Sequence, residues 1–195
     1  MRTASPVTVS SPVAPTSPKS ARPVLTPAQW DTLVANAAVV RDRAARAGLR
    51  TVLHPHVGTH VETTAEVERF LADSDLPLCI DTGHLLIGGT DPVELVRAHP
   101  HRVGHVHLKD VRADLADAVR AGRVSYTEAV AQGVYVPLGD GDVDLVTLLK
   151  LLHDNDYQGW YVLEQDTALA EGETGTDQVP RQATARSLAF LDSVH

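Results

Sequence analysis

Leu76-Pro77-Leu78-Cys79-Ile80-Asp81-Thr82-Gly83-His84 is an apolar run that stops on a carboxylate and, three residues later, an imidazole. Residues 76–81 read as a buried strand, because the run is short, apolar and bounded by turn residues. The same unit recurs on both sides of it. Upstream, residues 51–56 form a short strand, and Thr63-x-x-Glu66 caps a helix running to about Asp73. Before that, Thr26-Pro27-Ala28-Gln29 is a capping box with proline at the first helical position. Trp30, Leu33, Val34, Ala37, Val40 and Ala44 follow at helical spacing, and Gly48 stops the helix. Downstream, Asp91-Pro92-Val93-Glu94 opens another helix and residues 102–108 are a third strand. Residues 113–121 and 125–132 are short helical pieces, and 143–153 is an amphipathic helix. Residues 160–163 are the fourth strand, and a last helix starts near Val179. Strands alternating with helices predict an α/β fold with a parallel sheet covered by helices. Four such units are half of a closed eight-stranded barrel.

Composition narrows the class. The 195 residues are 43% hydrophobic and 22% charged, which excludes fibrous and wholly disordered chains. The single cysteine, Cys79, rules out an internal disulfide framework and fits a reducing, cytoplasmic setting. No run of about 18 apolar residues exists to span a membrane. The net charge of −8 argues against a nucleic-acid partner, whose phosphates need a basic face. Residues 1–24 hold five prolines, five serines and three threonines with no acid, and are expected to be disordered. They carry no continuous apolar stretch of the secretory kind. The folded region is therefore taken as residues 25–195.

Ten histidines are the unusual number, and several fall at strand ends. The first strand ends in His54-Pro55-His56, with His60 and Glu62 beyond it. The second ends in Asp81-Thr82-Gly83-His84. The third carries His105-Val106-His107-Leu108-Lys109-Asp110, and the fourth leads to Glu164-Gln165-Asp166. In parallel α/β folds the loops at the carboxyl ends of the strands converge on one face, where ligands bind. Each residue also has a structural explanation. Asp81 caps a helix, His105 and His107 are hydrogen-bonded neighbours, Glu62 is a first-turn acid and Glu164 pairs with Lys109. Four strand ends in agreement favour a shared metal site. His99, His101, His153 and His195 lie elsewhere and are read as structural.

His54-Pro55-His56-Val57-Gly58-Thr59, Cys79-Ile80-Asp81-Thr82-Gly83-His84, His105-Val106-His107-Leu108-Lys109-Asp110, Pro137-Leu138-Gly139-Asp140-Gly141-Asp142 and Val162-Leu163-Glu164-Gln165-Asp166 occur in that order. Over residues 26–195 this series resembles the xylose-isomerase-like sugar isomerase/epimerase superfamily, and within it the inosose dehydratase branch, which acts on 2-keto-myo-inositol. The resemblance implies a TIM-barrel-type fold, with this chain as the C-terminal (β/α)4 half. It implies metal ligation by Glu62, Asp81, His107 and Glu164, with His54, His56 and His60 near Glu62 as competing ligands. It places His84 against substrate oxygens.

Three carboxylates and one imidazole suit a hard divalent cation, Mn²⁺ first, with Co²⁺ or Mg²⁺ as alternatives. Such an ion polarises the carbonyl of a keto-polyol and acidifies the adjacent C–H. A positioned base then removes that proton. Reprotonation gives an isomerase or epimerase, and loss of a β-hydroxyl gives a lyase. Glu62 and Glu164 are the acid/base candidates, and His84 and Lys109 protonate or orient substrate oxygens. The expected partner is a small polyol or sugar. The alternatives to inosose dehydration are a sugar isomerase or epimerase with the same metal, or a non-catalytic metal-binding half-barrel. A half-barrel leaves two sheet edges unpaired, so a homodimer that closes eight strands from two halves is a further expectation.

Overall fold

The computed structural model describes residues 7–9, 22, 24–168 and 178–194. Strands β1 (Val7–Val9), β2 (Thr51–Leu53), β3 (Leu78–Asp81) and β4 (Val103–Leu108) stand side by side in chain order. β5 (Asp110–Val111) and β6 (Tyr135–Val136) form a separate antiparallel pair, and β7 (Tyr161–Leu163) rejoins the main sheet beside β4. All pairings in the main sheet are parallel, so each needs a crossover, and helices supply them. α1 (Pro27–Arg46) precedes β2, and α2 (Thr64–Asp73) links β2 to β3. α3 (Thr82–Gly88) and α4 (Pro92–Ala98) lie between β3 and β4. α5 (Ala113–Arg120), α6 (Tyr126–Ala131) and α7 (Leu145–Asp154) come before β7, and α8 (Gln178–Ser193) follows it.

The helix starts are the ones their capping residues specify. Thr26 Oγ1 accepts from Gln29 N at 3.3 Å, while Gln29 Oε1 accepts from Thr26 N at 2.9 Å. At α2, Thr63 N donates to Glu66 Oε2 at 2.9 Å. The antiparallel β5–β6 pair is not in the sequence expectation, and two features of the main layers also differ from it. β1 lies within residues 1–24 and pairs in register with β2, Val7 opposite Thr51 and Val9 opposite Leu53. The rest of that expected disordered segment lies outside the described residues, except Arg22 and Val24. α3 is the second addition. The sequence reading assigns no element to residues 82–88, though it offers Asp81 as a helix cap; Asp81 Oδ1 accepts from Gly83 N and His84 N at 3.1 and 2.9 Å, which starts a seven-residue helix directly on the strand.

The pleat sorts the sheet into two faces. Ile80 and Val106 are register partners and fully buried, part of a core that includes Phe70, Leu85, Leu108 and Leu148. On the alternate positions, Cys79 pairs with His105 and Asp81 with His107. His107 in turn lies opposite Val162, which puts Glu164, two residues on, along the same row. One face is hydrocarbon, and the other becomes polar toward the carboxyl ends of the strands.

Candidate active site

Asp81 is the centre of the polar face and is fully buried. One of its oxygens caps α3, which leaves Oδ2 free to face outward from the strand. Oδ2 lies 2.9 Å from Lys109 Nζ, 3.2 Å from His54 Nε2 and 3.5 Å from His107 Nδ1. The helix cap and the site residue are thus the same carboxylate, used through different oxygens.

Glu164 arrives from the end of β7, where its backbone N–H donates to Leu108 O at 3.2 Å. Its Oε1 lies 3.3 Å from His107 Nδ1 and its Oε2 2.5 Å from Lys109 Nζ. Asp166 is a further 3.5 Å from the same ammonium. Thr82 pins the Lys109 backbone, accepting from Lys109 N at 2.8 Å and donating to Lys109 O at 2.5 Å. Gly83 is required beside it, because a Cβ there would stand 2.8 Å from both Lys109 Cβ and Tyr135 Cε1.

The charges are strongly coupled. Burial works against an ionised Asp81, yet His84, His107, His54 and Lys109 outweigh it and hold its pKa well below the usual carboxylate value. His107 holds Glu164 down to about 2, with Lys109 reinforcing it. Burial opposes a charged His107, but Asp81, Cys79 and Glu164 push it up to about 11. His84 goes the other way: burial drives it well below its ordinary value, so it is neutral. His84 Nδ1 lies 3.4 Å from Tyr135 OH, which is 3.0 Å from Tyr126 OH. Burial likewise lowers His56, which stacks on His84 with ring centroids 3.5 Å apart.

Of the expected residues, the fold brings Asp81, His107 and Glu164 into one group whose ligand atoms lie within 4.8 Å of one another. His54, Asp81 and His84 form a second such group. Glu62 is brought into neither among the described residues. Its Oε2 accepts from Gly58 N at 2.9 Å and lies 3.5 Å from Arg22 Nε. His54, one of its competitors in the sequence, stands against Asp81 instead. Sequence reasoning also passed over Tyr126 and Tyr135. Tyr135 lies inside the segment that precedes the Pro137–Asp142 motif, but a buried tyrosine in a β-prone run carries no signal of where its hydroxyl points.

The donor set fits a divalent cation. His107 Nδ1 is buried without a hydrogen-bond partner although two carboxylates stand within 3.5 Å. Without a metal, a proton on His107 bridges the two carboxylates; a divalent cation can take that proton's place, and the oxygen majority matches Mn²⁺, Co²⁺ or Mg²⁺.

A family model described as "Xylose isomerase-like TIM barrel" matches residues 7–194. The chain belongs to the xylose isomerase-like TIM barrel family. Its parallel sheet with helical crossovers is a part of that barrel. Among curated members of the family, an inosose dehydratase of Geobacillus thermodenitrificans is 39% identical over 154 residues, 76% of this chain and 52% of the relative. The chain spans about half the length of the curated relatives it matches. Among solved barrels, 3-keto-D-glucoside 4-epimerase from E. coli superposes with TM-score 0.57 at 23% identity, over 87% of this chain and 57% of that one. The crystal structure of IOLI protein with a binding zinc atom superposes with TM-score 0.61 at 15% identity, over 88% of this chain and 58% of the other. At these identities the two structures share the fold with this TIM-barrel family member.

Proposed function

We propose that the strand-end cluster holds a divalent cation, Mn²⁺ first, and serves a lyase that dehydrates 2-keto-myo-inositol. The observation that carries the reading is His107 Nδ1 set between the Asp81 and Glu164 carboxylates at 3.5 and 3.3 Å, on a chain whose relatives are named inosose dehydratase. Asp81, His107 and Glu164 are ligands, and the fourth donor is Glu62, as the family resemblance gives it, or His54, whose Nε2 stands 3.2 Å from Asp81 Oδ2. When bound, the ion polarises a carbonyl and acidifies the neighbouring C–H.

The chain's own residues carry the protons. Glu62 and Glu164 are the acid/base candidates for the C–H proton, and Glu164 is ionised beside His107 and Lys109. His84 is neutral, and in the tautomer where Tyr135 O–H donates to Nδ1, Nε2 carries a proton for the departing hydroxyl. Lys109 is a charge-bearing group: Asp81 and Glu164 raise its pKa against the effect of burial, which favours a hydrogen-bonding role over a Schiff base. The hollow lined by Tyr126, Thr127, Val130, Gln165, Asp166 and Thr167, about 430 Å³, opens beside Asp166 and is the place for a polyol.

The test is turnover of 2-keto-myo-inositol by the Mn²⁺-loaded chain, with and without chelator, alongside metal content after dialysis. Chelation should abolish turnover, Asp81→Asn should lose the metal, and His84→Ala should lose turnover while keeping most of the metal. Equal Mn²⁺ content in wild type and Asp81→Asn would remove the site. Turnover of a ketohexose with none of inosose would remove the substrate.

A further inference from the structure

One layer below Asp81 on the same face of the sheet lies Cys79, opposite His105 in the register. Cys79 is fully buried and in no disulfide, and the oxygen-metal chemistry above makes no use of it. Its sulfur, a His54 ring nitrogen and a His107 ring nitrogen form a third group of potential ligand atoms, all within 4.8 Å of one another. His54 and His107 are both buried, at 8% and 9% exposure, and His107 Nδ1 makes only ion-pair contacts, at 3.5 Å with Asp81 and 3.3 Å with Glu164.

We propose that this chain has a second, soft-metal site, in which a Cys79 thiolate with His54 and His107 binds Zn²⁺ one layer beneath the oxygen-rich centre. Thiolate and imidazole are the donors zinc prefers, and an oxygen-rich set is what Mn²⁺ and Mg²⁺ prefer. Ligand atoms around tetrahedral zinc sit roughly 3.3–3.6 Å apart, from bond lengths of about 2.0–2.3 Å. The 4.8 Å limit on this group exceeds that spacing by only about 1.2–1.5 Å. Asp81 Oδ2, 3.2 Å from His54 Nε2 and 3.5 Å from His107 Nδ1, is placed to be the fourth donor. On binding, the thiol proton passes to solvent and the S–Zn bond forms, with no change of oxidation state.

The two sites cannot fill together, because His107 belongs to both groups and two divalent ions this close repel strongly. Zinc in the lower layer therefore removes His107 and His54 from the upper one. The site sorts metals by softness: a hard ion gives the centre of the proposed lyase, and zinc gives a closed, thiolate-anchored state. This second site does not depend on the identity of the substrate.

Co²⁺ is the spectroscopic probe: it is intermediate between the hard ions and zinc and can enter either site, but only thiolate ligation adds sulfur-to-metal charge-transfer absorption in the near ultraviolet. The chelator-treated full chain should develop that band with Co²⁺, and so should Glu164→Gln. Cys79→Ala and Cys79→Ser should lack it, and Zn²⁺ affinity should fall by at least about a hundredfold in both, the upper end of what lost outer-shell partners alone cost. X-ray absorption of the zinc-loaded wild type, which needs no variant, should show one sulfur at about 2.3 Å. A zinc shell of nitrogen and oxygen only, or unchanged Zn²⁺ affinity in folded Cys79→Ala, overturns the proposal. Loss of Mn²⁺ from Glu164→Gln with the cobalt band retained separates the two sites, since it tests the oxygen-rich centre alone.

Discussion

Glu66 does three jobs with one carboxylate. Its Oε2 accepts from Thr63 N and Glu62 N at 2.9 and 3.0 Å, and its Oε1 takes Arg22 Nη2 at 2.7 Å. Burial raises its pKa, but Arg22 and the two backbone N–H groups more than reverse that and leave it below the ordinary value of 4.5. A carboxylate depressed on folding stabilises the protein above its unfolded pKa, and that stability is lost as pH falls through the folded value. Glu66→Gln should therefore cost about 1–2 kcal/mol at neutral pH and flatten the loss of stability below about pH 4.5. Urea titrations at pH 7 and across the acid limb check both. An equally steep acid limb in the variant would show that Glu66 is not the titrating group. Residue identity alone made the capping role of Glu66 legible, because Thr63-x-x-Glu66 is a local pattern. Its neighbour Glu62 was harder to read. A carboxylate just past a strand end suits a metal, and the backbone N–H of Gly58 and the guanidinium of Arg22, 40 residues upstream, also reach its Oε2. No local pattern announces a contact of that range.

Asp110 organises an element in the way Glu66 organises a helix start. Its Oδ2 accepts from Gly139 N and Gly141 N at 2.9 and 3.0 Å, and its Oδ1 from Val111 N and Val143 N at 2.9 and 3.1 Å. The Gly139-Asp140-Gly141-Asp142 loop is wrapped around this carboxylate, and a Cβ at Gly141 would stand 2.3 Å from Asp110 Oδ1. Truncating Asp110 strands four donors, each costing about 1–3 kcal/mol when buried. Asp110→Asn should lose roughly 3 kcal/mol in urea denaturation, since its amide N–H₂ faces donors, and Asp110→Ala more. Asp140→Asn, in the same motif, removes only a half-exposed pair with Arg186 and should stay within about 0.5 kcal/mol. Equal effects of the two substitutions would show that the loop is not built on Asp110. At this scale the long elements were legible and the short ones were not. The helices behind Thr26, Thr63 and Asp91 each carry a cap and an apolar stripe, so periodicity finds them. α3 is seven residues beginning on a strand's last residue, too short for a period to register. β1 is three residues in a proline- and serine-rich setting, and only its pairing with β2 makes it a strand.

Across the whole molecule the sheet has two ends of different character. The β2 side is covered by β1, while among the described residues β7 has a partner on one side only. Trp160 and Tyr161, at 58% and 39% exposure, sit at that open edge. Unpaired strand edges with exposed aromatic side chains recruit further strands. Two copies can close eight strands only if β7 of each pairs with β2 of the other, and β1 occupies the edge of β2 that this requires. β1 pairing and barrel closure by a second copy therefore compete. The full chain should associate through β7 in a concentration-dependent way, and a chain lacking residues 1–20 should form a stable dimer at lower concentration, because the β2 edge is then open. Light scattering across a concentration series reads the mass. Amide hydrogen exchange reads the geometry, since a closed barrel protects both β2 and β7, whereas a β7-to-β7 contact protects β7 alone. If both chains remain monomers with β7 amides already protected, the open edge is covered from within the chain and dimer closure is wrong.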